Sequence, residues 1–312
     1  MAALVYKILR YSGLPAMMRM LFQRKKVTIL VFHEMTPEVA EMNFTYLKKH
    51  YNIISLQNFY KAIENNDSNL LPKKSLIITF DDGRISNYSL LPIFKKLKIP
   101  VTIFLNSGII NTNRHYWFRY NRDLLSNESL KKISNKDRLE LMHRHGFKQD
   151  EEYDYPQALS KAQIVEMSDY VDMQSHTYFH PCLPKCDYSE AEFEITNCKI
   201  TLENEYGYPI NSLAYPNGDY TEREIEIAKQ AGYKYCLSID KGYNSILSDP
   251  YRLKRLDPND TDNLDEFIVK TSGLHILPIL IKLQALNFFK HRAKRKISKN
   301  LIKKTESTIQ TW

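Results

Sequence analysis

The chain has 312 residues, 43% of them hydrophobic, which is enough for a sizeable core and too apolar for a disordered polypeptide. Its net charge of +8 is unevenly spread: residues 1–26 hold six basic side chains and no acid, residues 279–312 hold nine against Glu306 alone, and the body between stands at −6. An acidic body with basic ends excludes a general nucleic-acid binder and directs the ends toward an anionic surface, an anionic membrane leaflet first.

In chain order, the basic N-terminal segment (1–26) has apolar stretches broken by Lys7, Arg10 and Arg19, so no signal-peptide core forms. No run approaches the roughly 20 apolar residues of a spanning helix. The expected location is cytoplasmic, peripheral on the inner face of the membrane. From residue 27 short apolar runs alternate with helical patterns, the signature of βα units. The predicted strands are Val27–Phe32, Ile53–Ser55, Ser75–Phe80, Val101–Leu105, Val171–Ser175, Ser212–Tyr215, Tyr235–Ser238 and Arg252–Leu256. Helical patterns between them include Leu56–Asn65, Asn87–Leu97, Ser189–Tyr206 and Glu222–Ala231.

Residues 106–159 break this rhythm. They are long, polar and Tyr-rich, with a charged helical stretch near Lys136–Arg144, and read as an insertion over a barrel mouth. The tail, 274–312, mixes Leu, Ile and Phe with Lys and Arg. Such a basic amphipathic helix either lies on a membrane or docks on the body by its apolar side. The expected fold class is α/β, a distorted (β/α) barrel of about seven strands, TIM-barrel-like, spanning 27–273.

Polar residues gather at the ends of the predicted strands: His33, then Asp81-Asp82-Gly83, His176, and Pro216-Asn217-Gly218. Barrel enzymes place their chemistry at strand C-termini. Two adjacent carboxylates after an apolar strand need partners if buried, and a cation supplies one. Taken alone, Asp-Asp-Gly is also an ordinary turn. His176 and His180 are four residues apart, which puts both rings on one side of a helical turn. Two imidazoles and a carboxylate suit zinc with positions left open, although the same ligands hold other divalent ions.

Together these segments resemble the polysaccharide deacetylases, the fourth family of carbohydrate esterases, and within it the exopolysaccharide-type branch. The resemblance runs from about Val27 to Gly273 through "TILVFHEM", "SLIITFDDG", "IPVTIFLNSG", "DMQSHTYFH", "LAYPNG" and "AGYKYCLSID", in the family's order. It implies metal-dependent N-deacetylation of an N-acetylated sugar, in a polysaccharide or its lipid-linked precursor. By the resemblance Asp81 is the general base, and Asp82, His176 and His180 hold the metal, expected to be zinc. The metal would polarise the acetyl carbonyl and acidify water, and the backbone N–H of Asn217 would help to hold the oxyanion. Two departures stand out. Many members carry an arginine two residues before the proline, bracing the catalytic aspartate, where this chain has Ala214. Many also end in a Leu-x-His whose histidine is the general acid, and no equivalent follows Arg252, His275 lying outside the expected strand context.

The remaining candidates carry two readings each. His33 is a cleft residue or a satisfied structural histidine. Tyr215 and Pro216 flank the oxyanion position and are candidate substrate contacts, and Trp117 either lines a sugar cleft or packs the insertion. The 21 Tyr and 14 Phe suit sugar stacking and suit a core equally well. Cys182 and Cys186 fit a loop better than a second zinc site, and the four cysteines look like scattered reduced thiols. The alternative function is a catalytically silent carbohydrate-binding or scaffolding member of the same fold.

Overall fold

The computed structural model describes residues 2–120, 126–280 and 282. Of the basic tail expected over 274–312, all from residue 283 on lies outside the described residues. Seven strands form one parallel sheet: β1 (Val27–Phe32), β2 (Asn52–Ile53), β3 (Ser75–Phe80), β4 (Val101–Leu105), β5 (Val171–Ser175), β6 (Ser212–Ala214) and β7 (Tyr235–Leu237). Their spatial order is β1-β3-β4-β5-β6-β7, with β2 paired to the start of β3. Beyond β7, parallel bridges Leu237–Leu253 and Leu30–Leu256 tie the chain back to β1 and close the sheet into a barrel. The expected strand Arg252–Leu256 is thus present only as these two bridges.

The helices are α1 (Ala2–Tyr11), α2 (Leu14–Leu21), α3 (Pro37–His50), α4 (Leu56–Glu64), α5 (Leu91–Leu97), α6 (Asn127–Leu130), α7 (Asn135–Arg144), α8 (Lys161–Met167), α9 (Tyr188–Tyr206), α10 (Glu222–Gln230) and α11 (Leu264–Thr271). Several start where a side chain takes up orphan N–H groups. Capping boxes pair Ser55 with Asn58, Ser160 with Gln163, Asp187 with Glu190 and Thr221 with Glu224. The pattern expected as one helix over Asn87–Leu97 divides into a 3₁₀ segment, Ile85–Leu90, and α5. Pro92 lacks the N–H that an α-helix continuing through it would require. No helix among the described residues is long and apolar enough to cross a membrane.

Every residue of β1 and β3 is buried, as parallel strands covered on both faces must be. Side-chain alternation then sorts them. Val27, Ile29, Ile77, Phe104, Leu237 and Leu253 form one apolar cluster. Leu30, Phe32, Leu76, Ile78 and Phe80 join a second with helix residues such as Phe44 and Phe94, where Phe32 and Phe80 lie 5.5 Å apart. The same period of two sends Asp81, just past β3, to the side of Ile77 and Thr79. The insertion has a core of its own around Trp117, Leu130, Met142, Phe147 and Cys182.

Candidate metal centre

Asp82, His176 and His180 converge although 94 residues of sequence separate the aspartate from the first histidine. Their ligating atoms all lie within 4.8 Å of one another, and all three residues are buried. Asp82 Oδ1 is 3.5 Å from His176 Nε2 and 3.4 Å from His180 Nε2, yet has no hydrogen-bond partner. A buried carboxylate oxygen left bare between two imidazoles is costly unless something positive joins it. His176 Nδ1 lies 2.8 Å from the carbonyl of Ala214; donating there leaves the Nε2 lone pair directed at Asp82. Burial pushes His180 down to about 3, so its ring is neutral and able to ligate. Burial acts on His176 in the same sense, but Asp81 and Asp82 beside it prevail and raise it. The donor set therefore fits a divalent cation.

Asp81 lies beside this group, its Oδ2 3.9 Å from His176 Nε2. Burial would raise its pKa, but Arg255, His176 and His33 together outweigh burial and hold the carboxyl below its ordinary value. Arg255 Nη1 and Nη2 donate to the two carboxylate oxygens at 2.7 and 2.8 Å, and Nε donates to the carbonyl of Ser238 at 2.8 Å. Arg255 lies on the barrel-closing segment between the two bridges. The brace that the resemblance placed at position 214 is thus supplied from a different strand position. Sequence reasoning missed it. The available signal was a charged residue between Leu253 and Leu256 in an otherwise inward-packing run.

The geometry is held partly by strain. Asp82, Thr177, His180 and Asn217 all have positive φ, four of the nine such non-glycine residues among those described. Conformations of this kind persist where surrounding contacts over-determine them. Here the contacts come largely from the insertion. Tyr116 donates to the carbonyl of Asp82 at 2.5 Å, and the Trp117 indole N–H donates to the carbonyl of His180 at 2.8 Å. The Phe118 ring packs 4.7 Å from that of His180. From below, buried Glu194 on α9 accepts from the N–H of Phe179 at 2.7 Å. None of Tyr116, Glu194 or Arg255 is marked by a local motif.

These groups open onto a cavity of about 260 Å³ lined by Asp81, Asp82, His176, His180, His33, Arg84 and Asn217, with Phe118, Asn127 and Lys131 of the insertion on one wall. Asn217 sits in the 3₁₀ turn Pro216–Gly218 that follows β6, where opening N–H groups have no helical partner. Gly218 must be glycine. Its φ is +73°, and a Cβ there would meet the backbone nitrogen of Ile239 at 2.6 Å. His33 reaches the cavity with Asp260 behind it: the Asp260 carboxylate accepts from the N–H groups of His33 and Glu34 and lies 3.8 Å from His33 Nδ1.

Three expected substrate contacts are placed elsewhere. Trp117 is buried in the insertion core under the Arg138 guanidinium, so it supports the His180 loop instead of lining the cleft. Tyr215 and Pro216 are buried and do not line the cavity. The Tyr215 hydroxyl donates to the carbonyl of Tyr251 at 3.3 Å. His275, on a 3₁₀ turn after α11, does not reach the cavity. Cys182, Cys186, Cys198 and Cys236 are all buried free thiols, and the described residues yield no metal-ligating group that includes them.

The pattern of the family described as polysaccharide deacetylase matches residues 68–236. A poly-β-1,6-N-acetyl-D-glucosamine N-deacetylase of Staphylococcus aureus is 24% identical over 210 residues, 65% of this chain and 61% of that protein. The Bacillus subtilis protein YxkH, which carries a polysaccharide deacetylase name, is 22% identical over 207 residues, 64% of this chain and 59% of its own length. The matches therefore span about three-fifths of these curated relatives. Among solved structures, the Streptococcus pyogenes deacetylase PplD superposes with a TM-score of 0.56 at 22% identity, covering 74% of this chain and 92% of that one. IcaB from Ammonifex degensii gives 0.55 at 19% identity, covering 75% and 92%. At these identities the likeness is one of fold.

Proposed function

Because the chain belongs to the polysaccharide deacetylase family, we propose that it removes the acetyl group from an N-acetylated sugar in a polysaccharide or its lipid-linked precursor, with Asp82, His176 and His180 holding a zinc ion. The observation that carries this reading is the bare Asp82 Oδ1 between two imidazole Nε2 atoms, with an arginine-braced second aspartate in the same cavity. The S. aureus relative is named for an N-acetylglucosamine polymer, which supports an N-acetylhexosamine as the sugar.

A divalent cation bound there supplies Lewis acidity toward the acetyl carbonyl and lowers the pKa of water. The chain's own groups do the rest. Asp81, kept ionised by Arg255, accepts the proton of the attacking water. The N–H of Asn217 donates to the developing oxyanion. His33 gives the proton to the departing amine, its backbone held by the Asp260 carboxylate, which also lies 3.8 Å from Nδ1. This assignment fills the role left open by the missing terminal histidine. Phe118 and Lys131 on the insertion wall meet the sugar beyond its acetyl group.

Metal analysis of the purified chain and acetate release from N-acetylglucosamine oligomers test the reading. The intact chain should hold one divalent ion, and Asp82→Ala and His180→Ala should lose both metal and activity while remaining folded. Asp81→Asn should keep the metal and lose about 10²–10⁴-fold in rate. A metal-free chain that still binds glycan would instead identify a silent binding member.

A further inference from the structure

The N-terminal helix pair presents an apolar face for which the described residues offer no cover. No residue of α1 is buried. Leu4, Ile8 and Tyr11 of α1 and Met20 and Leu21 of α2 are each 61–71% exposed. Positions 4, 8 and 11, with exposed Val5 beside them, follow helical spacing and make one stripe. The opposite side of α1 packs on α11, where Arg10 meets Asp265 at 2.5 Å. Single exposed apolar side chains are ordinary on a soluble protein, but a helical stripe of them, with further exposed apolar side chains on the next helix, marks an interaction surface.

Charge identifies the occupant. Lys7, Arg24, Lys25 and Lys26 on or beside this pair are exposed, no salt bridge among the described residues involves them, and residues 1–26 contain no acid. A second copy of the same face would meet its own charge. Residues 283–312 would repel it as well, since they carry eight basic side chains against Glu306. An apolar stripe edged with unpaired cations is complementary to acyl chains beneath anionic headgroups.

We propose that α1 and α2 form a peripheral membrane-docking surface for anionic lipid, with Leu4, Ile8 and Tyr11 entering the interface and the lysines meeting headgroups. The proposal is independent of the deacetylase reading, because its test needs no turnover.

The full chain is sedimented with phosphatidylcholine vesicles with and without phosphatidylglycerol, alongside Leu4→Ser/Ile8→Ser. The wild type should bind the anionic vesicles, release with added salt, and bind neutral ones far less. Losing two inserted side chains should reduce partitioning at least about tenfold with no change in Tm, since both are exposed. Undiminished binding of the double variant, equal binding to both vesicle types, or no binding at all overturns the proposal. So does a dimer in solution that the same double variant dissociates, which would assign the stripe to a second copy.

Discussion

Replacing Arg255 with methionine separates Asp81, the proposed base, from its brace. The wild-type guanidinium makes two hydrogen bonds to Asp81 at 2.7 and 2.8 Å, and both residues are buried. Methionine fills much of the volume but leaves a buried carboxylate without its counter-charge, a loss of about 3–5 kcal/mol. For a chain of this size that lowers Tm by something of order 10 °C. The pH dependence should also change sign. In the wild type Asp81 is held below its ordinary value of 3.8, so it contributes stability above that pH and loses it as the pH falls through the depressed pKa. In Arg255→Met, burial, the largest influence on Asp81, is opposed only by the His176 and His33 rings, so Asp81 moves up and the penalty appears as pH rises above 3.8. Thermal melts across acid to neutral pH read this directly. The acidic limb of the deacetylation profile should move up by the same cause, with bound metal unchanged. Arg255→Lys keeps the charge without the fork and should fall between. A methionine variant with wild-type Tm and pH–rate profile would refute the reasoning.

Two further outcomes follow from the geometry. His33→Gln should retain metal and fold and lose about 10²–10⁴-fold in kcat, measured by acetate release; an unchanged kcat would place the proton donor elsewhere. Burial pushes Glu194 up to about 8 from an ordinary 4.5, so the native state keeps a proton that the unfolded chain releases, and stability falls as pH rises between those values. Glu194→Gln keeps an acceptor for the Phe179 N–H and should flatten that slope, gaining at most about 4 kcal/mol near the upper end; urea titrations of chelator-treated protein at the two ends of the range check it.

What could be read from the sequence was what local patterns encode. β1, β3 and β4 are apolar runs and β5 alternates apolar with polar residues, all four with the expected bounds, and Asp81, Asp82, His176 and His180 stand at strand ends within a few residues of their apolar flanks. What escaped depends on closure in three dimensions. Arg255 and Asp81 are 174 residues apart, and the segment that joins them makes isolated bridges instead of a full strand, so its alternation is weak. Trp117 shows the same limit from the other side. An aromatic in a polar insertion reads equally as a cleft residue or as packing, and only the fold reveals that its N–H is spent on the His180 carbonyl. His33 was visible as a strand end, but the aspartate that accepts from its backbone N–H is 227 residues away in sequence.

The barrel seam between β7 and β1 has a consequence for how this protein fails. That seam is held by three bridges, Leu237–Leu253, Leu30–Leu256 and Val27–Asn244, and by the guanidinium that also holds Asp81. The clasp and the brace of the proposed base are one side chain. Fraying there withdraws Arg255 from Asp81 before any flanking helix need unwind, so the activity lost is a sensitive gauge of how often the barrel gapes. An enzyme whose bracing arginine stood within a central strand would keep its base until the sheet itself came apart. Here heat or denaturant should silence the chemistry first, while the circular dichroism of the helices still looks native.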